Sequence, residues 1–115
     1  MNKHHATELV AAQRTRVETA LAALDAEIRD DGALQRQQTG EVAEAGSALD
    51  SAALAIGLAA DLREQLAAVG RAEERIAQGT YGLSVESGAP IPDERLEVAP
   101  LAERTIEEQR RQERG

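Results

Sequence analysis

The chain has 115 residues. A domain of this size buries only about two thirds of the surface that its unfolded chain exposes, so its core must be modest. The net charge of −8, from 21 acidic and 13 basic residues, argues against direct contact with the phosphate backbone of nucleic acids. The apolar residues are mostly Ala and Leu, with one Tyr and neither Phe nor Trp, which excludes a large sheet sandwich and favours a mostly α fold.

The first predicted element is a long amphipathic helix that begins near Thr7. Its large apolar residues recur at spacings of seven, four, three and four, which is the rhythm of a heptad seam. This first seam comprises Val10, Val17, Leu21, Leu24 and Ile28.

A turn is expected next, between Asp30 and Gly46, because glycines and a polar run interrupt the apolar pattern there. With the tip near Thr39 and Gly40, each arm has about 33 residues and a length of about 50 Å, at about 1.5 Å per residue. Arms of equal length can pair along their whole length.

A second apolar seam follows the turn. It comprises Leu54, Leu58, Leu62, Leu66, Val69 and Ile76. The Ala residues between these positions allow two helices to approach closely. Together the seams predict a long antiparallel helical hairpin, or coiled coil, within one chain. Pairing of the same helices between chains is the alternative.

After Gln78 the composition changes, because three glycines and three prolines fall within 22 residues. We predict a compact, loop-rich tail that ends in a short helix from Leu101 to Arg114, opened by Pro100. The apolar residues of the tail are expected to form a small satellite core. These residues are Tyr81, Leu83, Val85, Ile91, Leu96, Val98, Leu101 and Ile106.

The tail contains the run Gly79-Thr-Tyr-Gly-Leu-Ser-Val-Glu-Ser-Gly-Ala-Pro-Ile-Pro, followed by Arg95-Leu-Glu and Pro100. This run resembles the C-terminal zinc finger of the DksA/TraR family of bacterial transcription regulators. The pattern of that finger is G-T-Y-G-x-C-x-x-C-G-x-P-I-P, then R-L-E-x-x-P, then C-x-x-C. The resemblance covers residues 71 to 111 and implies a helical hairpin followed by a small finger.

Aligning the two patterns puts the four zinc ligands of the family at Ser84, Ser87, Thr105 and Glu108, so every thiolate is replaced. A hydroxyl is not deprotonated at neutral pH as a zinc-bound cysteine is, and one carboxylate cannot complete a tetrahedral site. We therefore expect a degenerate finger with no zinc and no other cofactor. Its serines and Thr105 are expected to satisfy backbone groups of the turns by hydrogen bonds.

The resemblance also implies a hairpin tip with the motif D-x-x-D-x-A, inserted through the secondary channel of RNA polymerase toward its catalytic magnesium. Counting back from the tail puts Glu41, Glu44 and Gly46 at the three motif positions, with the spacing kept and the residue types changed. Seven acidic and two basic residues lie from Asp25 to Asp50, a net charge of −5 that suits a basic or metal-bearing partner. A solvated charged loop is the alternative interpretation.

The sequence favours a binding protein over an enzyme. It has no cysteine, its two histidines are His4 and His5, and no set of nucleophile, base and orienting group can be assembled. The resemblance implies a regulator of transcription initiation that binds RNA polymerase. The alternative is a structural coiled-coil interaction module that has lost polymerase regulation.

The expected organisation is a hairpin over residues 1–78, with its tip near 39–46, and a degenerate finger-like module over residues 79–115. No apolar segment of a signal peptide is found from Met1 to His5, and no stretch approaches 18 uninterrupted apolar residues. We expect a cytoplasmic monomer that contacts neither membranes nor nucleic acid directly.

Overall fold

In the computed structural model, the described part of the chain forms four helices. They are α1 (Lys3–Gln37), α2 (Val42–Gln78), α3 (Asp93–Val98) and α4 (Ile106–Arg114). The structure describes the backbone of residues 1–37 and 42–115, and the side chains of residues 1–29 and 50–115. Two long helices followed by a tail with two short ones confirm the predicted fold class. No helix in the described ranges has an apolar stretch long enough to cross a membrane.

Two compact units are distinguished by the contacts within the chain. The terminal unit joins Met1–Arg14 to Ala68–Gly115, and the hairpin unit is Thr15–Ala67. Each unit contains one part of α1 and one part of α2, so the two long helices pair within both units. The division at residues 78 and 79 that the sequence suggests stays a prediction.

In the terminal unit the core forms where the start of α1 packs on the end of α2. Val10, Val69 and Ala72 are buried there. An ion pair joins the same two helices, since the Arg14 Nε donates to the Glu73 Oε2 at 3.0 Å. That hydrogen bond from Arg14 lowers the pKa of Glu73, against a smaller opposing effect of burial.

In the hairpin unit α1 and α2 are joined by polar and apolar contacts. The Arg63 Nη2 donates to the Asp25 Oδ1 at 3.1 Å. Val17 and Ala59 are the buried apolar residues of this unit among its described side chains. A groove between the two helices is lined mainly by small and aliphatic residues, flanked by Glu27, Asp61 and Gln65. Its apolar lining comprises Ala20, Ala23, Leu24, Leu58 and Leu62.

The first seam is confirmed, because Val10 and Val17 are buried and its other members are half-buried. The second seam is wrong at its start, where Leu54 is 66% exposed and Leu58 47% exposed. Successive steps of four residues turn by about 40° more than a full circle, so Leu54 lies about 120° around the helix from Leu66. The contact line instead alternates steps of three and four through alanines. Its described members are Ala52, Ala55, Ala59, Leu62, Leu66, Val69, Ala72 and Ile76.

Gly79 ends α2 in a Schellman motif. Its φ of 76° lies in the left-handed region, where glycine has no steric penalty. The Thr80 N–H donates to the Arg75 carbonyl at 2.8 Å, and the Gly79 N–H donates to the Ile76 carbonyl at 3.2 Å. These two bonds satisfy carbonyl groups at the helix end and turn the chain into the tail.

The predicted satellite core is only half correct. Ile91 and Leu96 are buried in the tail. Tyr81 and Leu101 instead pack against the core of α1 and α2, so the tail shares that core. The other four predicted members are exposed. They are Leu83, Val85, Val98 and Ile106. A tail with so few large side chains cannot enclose all of them, and it gains burial by packing on the long helices.

Candidate functional site

The first half of the altered finger is a short hairpin from Gly82 to Ile91. The Ile91 N–H donates to the Gly82 carbonyl at 2.7 Å, and the Ser84 N–H donates to the Ala89 carbonyl at 2.8 Å. Gly88 has a φ of 75° at the turn. In this part of the described chain the strand character is limited to one isolated antiparallel bridge, between Leu83 and Pro90.

The serine hydroxyls of this hairpin stabilise its turn, as the sequence predicts. The Ser84 Oγ accepts hydrogen bonds from the backbone N–H groups of Glu86 and Ser87, at 3.1 and 3.2 Å. The Ser87 Oγ accepts from the N–H of Ala89 at 3.2 Å. These bonds hold the loop between the two serines tightly, because each orphan N–H finds a local acceptor.

The second half of the altered finger is the start of α4, which is closed by a capping box. The Thr105 Oγ1 accepts from the Glu108 N–H at 3.3 Å, and the Thr105 N–H donates to the Glu108 Oε1 at 2.9 Å. The terminal helix therefore begins at Ile106, and the predicted start at Leu101 is wrong. The spacing T-x-x-E is the sequence signal for this start, and it was missed.

Glu108, the fourth altered position, lies in the first turn of α4. This side chain is only 4% exposed. The backbone hydrogen bond from Thr105, followed by the side-chain hydrogen bonds of Ser84 and Ser87, lowers the pKa of Glu108 to about 2, although burial alone would raise it. Three of the four positions that correspond to zinc ligands, Ser87, Thr105 and Glu108, line one cavity, and the fourth, Ser84, is buried.

This donor set does not fit zinc. Structural zinc sites are built from thiolate and imidazole ligands, whereas three of these four positions carry neutral hydroxyls. The described residues also contain no group of three or more His, Cys, Asp or Glu side chains that could hold a metal ion. Chemically, the arrangement can join two chain segments, and it supplies no activated nucleophile.

Two further links tie the same segments together. The Val85 N–H donates to the Glu103 carbonyl at 2.9 Å. An ion pair joins the Arg104 Nε to the Glu86 Oε2 at 3.5 Å. A cavity is lined by Arg95 and Arg111 together with residues from both halves of the finger, among them Ser87 and Thr105.

Glu103 attaches the tail to α2. It accepts from the Arg71 Nη2 at 3.0 Å and from the Arg75 Nη1 at 3.1 Å. Burial raises the pKa of Glu103, but the hydrogen bond and charge of Arg71, together with the charges of Arg75 and Arg104, outweigh it and lower the pKa. Sequence analysis assigned no role to this carboxylate, because its partners are distant in the chain.

Neither histidine lies in a group that could act catalytically. His4 pairs with Glu8 one turn further along α1, at 3.0 Å. His5 contacts the carboxylate of Glu97 in α3. The contact of His5 with Glu97 attaches α3 to the start of α1 within the terminal unit.

The predicted tip residues are not tested by the structure. Glu41 lies outside the described residues. Glu44 and Gly46 fall within the bounds of α2, Val42–Gln78, but outside the residues whose side chains are described. Their role stays a prediction.

No family model matches the chain. A segment of 47 residues, 41% of this chain, is 47% identical to General stress protein 16O of Bacillus subtilis (strain 168). The match spans 29% of that relative, so this chain covers less than two thirds of its length.

A solved structure is similar over nearly the whole chain. It is the transcription factor DksA2 from Pseudomonas aeruginosa, which is 27% identical in sequence. The superposition covers 97% of this chain and 83% of the DksA2 chain, with a TM-score of 0.82. The likeness therefore includes both long helices and the altered finger.

Proposed function

Because this chain has a DksA/TraR-like fold, we propose that it is a transcription regulator that binds RNA polymerase through the secondary channel and modulates initiation. The observation that carries the proposal is the likeness to the transcription factor DksA2 over 97% of the chain. In this proposal the chain is a cytoplasmic monomer whose partner is a protein, without direct contact to nucleic acid or membranes. It is not an enzyme.

The charge distribution supports a basic partner for the hairpin unit. Thr15–Ala67 carries ten acidic and four basic residues, a net charge of −6. The terminal unit carries eleven acidic and nine basic residues, a net charge of −2. Such an asymmetry steers the acidic unit toward a positively charged channel and weakens as salt rises.

Glu41 and Glu44 are the residues that we propose to carry the regulatory effect, with Gly46 beside them. They occupy the acidic positions of the family motif, and the paired helices supply most of the area for contact. Affinity depends mainly on well-packed contacts, whereas a carboxylate near the catalytic magnesium acts on the chemistry of the polymerase.

The alternative function is a structural coiled-coil module that binds a protein but no longer regulates polymerase. The altered residue types at the tip favour it, as do the exposed apolar side chains of the hairpin unit, Leu54 and Leu58, which lie one turn apart on α2. Exposed apolar patches commonly mark protein contacts. The two functions differ in whether polymerase is bound and in whether transcription changes.

The test is a pull-down with RNA polymerase beside in vitro transcription. The double variant Glu41→Ala, Glu44→Ala should bind polymerase but lose its influence on sensitive promoters, and replacement of both by Lys should do worse because basic channel walls repel it. Glu27→Ala with Asp61→Ala is the matched control, since it removes two charges from the same unit.

Failure of the wild-type protein to bind would favour the structural module. Unchanged regulation by the first double variant would remove both glutamates from the mechanism.

A further inference from the structure

The connection between α3 and α4 contacts the other elements of the tail. The Glu103 carbonyl accepts a hydrogen bond from the Val85 N–H in the short hairpin of the finger, at 2.9 Å. The Arg104 carbonyl accepts from the Arg95 Nε in α3 at 3.2 Å. The Arg104 side chain also pairs with Glu86 in the short hairpin. Because α4 begins just after these two residues, the connection is a junction of the whole tail.

The Glu103 side chain extends this junction to α2. Its Oε1 accepts from the Arg71 Nη2 at 3.0 Å, and its Oε2 accepts from the Arg75 Nη1 at 3.1 Å. The two arginines lie one turn apart on α2, so the carboxylate is held between two guanidinium groups. The side chain of Arg75 is 12% exposed and that of Glu103 is 20% exposed, so water competes little for this pair.

We propose that Glu103 is an electrostatic latch, whose ionised carboxylate holds the tail on α2 and whose loss releases the tail while α1 and α2 stay paired. Because the donor set of the altered finger does not fit zinc, its closure depends on contacts between protein groups such as these. The latch does not rest on polymerase binding. It concerns the terminal unit alone.

The latch is stronger than an ordinary ion pair of the surface. Exposed ion pairs contribute little to stability, because water and salt screen them. Among the described residues, Glu103 is the only side chain that accepts a hydrogen bond from Arg75, and the Arg75 Nη2 is buried without a partner. Removal of the carboxylate would therefore leave a largely buried guanidinium unpaired, which costs much more than loss of a surface contact.

The pairing of α1 with α2 does not depend on this carboxylate. The buried core between these helices consists of Val10, Val69 and Ala72. The tail adds two half-buried side chains to that core, Tyr81 and Leu101. Half-buried apolar side chains contribute less than fully buried ones, because less of their surface leaves water. Release of the latch should thus free the tail before the core between the long helices opens.

The chain contains separate reporters for the tail and for the long helices. The Val85 amide bonds across the junction, so its hydrogen exchange reports opening of the tail. The Val69 amide lies inside α2 and reports opening of the long helices. Tyr81 is the single aromatic residue, and its hydroxyl donates to the Pro100 carbonyl at 2.8 Å. Tyrosine fluorescence therefore follows the tail as well.

The decisive comparison uses the full chain with Glu103→Gln and the matched control Glu94→Gln, which removes an exposed carboxylate of the tail. Glu103→Gln should lower the protection factor of the Val85 amide about tenfold or more, and the midpoint of the Tyr81 transition by about 5 °C. The protection factor of Val69 should stay at least about tenfold above that of Val85. The control should match wild type in all three measurements.

Two results would overturn the latch. The first is a wild-type protection factor for Val85 in Glu103→Gln, because the carboxylate would then hold nothing closed. The second is equal protection of Val85 and Val69 in that variant, because the tail and the long helices would then open as one unit.

A second arm remains informative if Glu103→Gln does not fold. Arg71 is 45% exposed and makes three of the four hydrogen bonds to the Glu103 carboxylate. Arg71→Gln should therefore fold and lower the protection factor of Val85 about threefold or more, whereas the control Arg110→Gln, at an exposed site of α4, should not change it. An unchanged protection factor of Val85 in Arg71→Gln would overturn the proposal.

Discussion

The terminal unit and the hairpin unit use the same helices in different ways. Among the described side chains, six of the eight buried apolar residues lie in the terminal unit, and only Val17 and Ala59 lie in the hairpin unit. The hairpin unit instead exposes Leu54, Ile56 and Leu58 and carries most of the net negative charge. Among the described side chains, apolar burial is thus concentrated in the terminal unit, and exposed large aliphatic residues are frequent in the hairpin unit.

The largest effect is expected from a charge placed in the core of the terminal unit. Val69→Asp should lower the free energy of unfolding by about 4 kcal/mol, because Val69 is fully buried and the new carboxylate has no partner. Urea unfolding followed by circular dichroism measures the change. Leu54→Asp is the control at an exposed site and should cost less than about 0.5 kcal/mol. If Val69→Asp and Leu54→Asp lowered the free energy of unfolding equally, the proposed difference between the two units would be contradicted.

A smaller loss is expected from the same change in the hairpin unit. Leu24→Asp or Leu62→Asp should cost about 2 kcal/mol, since both side chains are only half-buried where α1 faces α2. The helical signal should fall at a lower urea concentration. Sedimentation of the same samples tests the pairing, because a variant that stays folded and merely dissociates an oligomer would show that the helices pair between chains.

Acid should weaken the terminal unit through its carboxylates. The pKa of Glu108 is lowered to about 2, and the pKa values of Glu103 and Glu73 are also lowered. A carboxylate with a depressed pKa in the folded state stabilises the fold above its ordinary pKa of about 4.5, and this contribution is lost as pH falls toward the folded-state value. Tyr81 fluorescence should therefore report loss of the tail between pH of about 4.5 and 2. In Glu108→Gln this pH dependence should be shallower. If the variant and the wild-type protein have the same pH dependence of Tyr81 fluorescence, Glu108 does not contribute to it.

The smallest effect concerns the hydroxyl of Tyr81. Tyr81→Phe should cost about 1 kcal/mol, because it removes the hydrogen bond to the Pro100 carbonyl and leaves the ring in place. Burial raises the pKa of this tyrosine, with a further increase from Glu97 and a decrease from Arg75. A spectroscopic titration of the phenol should accordingly show ionisation above the ordinary value of about 10 in the folded protein. If the Tyr81 phenol instead ionised at the ordinary pKa of tyrosine, its hydroxyl would be exposed to water.

The candidate site illustrates which contacts a sequence can reveal. The turn bonds of Ser84 and Ser87 were predictable because donor and acceptor lie two or three residues apart. The capping box of Thr105 and Glu108 was equally local and was missed only because the helix start was assigned to Leu101. The bond between the two halves of the finger, from the Val85 N–H to the Glu103 carbonyl, was not predictable from periodicity, since the two residues are distant in the chain.

Three features could be assigned from local sequence alone: the two long helices, the change of composition after Gln78 and the loss of every thiolate at the finger. These features follow from local periodicity, glycine and proline chemistry and residue type. The packing of α1 on α2 was needed to show that the contact line of α2 runs through Ala55 and Ala59 instead of Leu54 and Leu58. The register of two packed helices depends on which side chains let their backbones approach closely. Small alanines allow this approach, whereas larger leucines obstruct it. The attachment of the tail to α2 through Glu103 was likewise a tertiary outcome, because its donors Arg71 and Arg75 are distant from it in the chain.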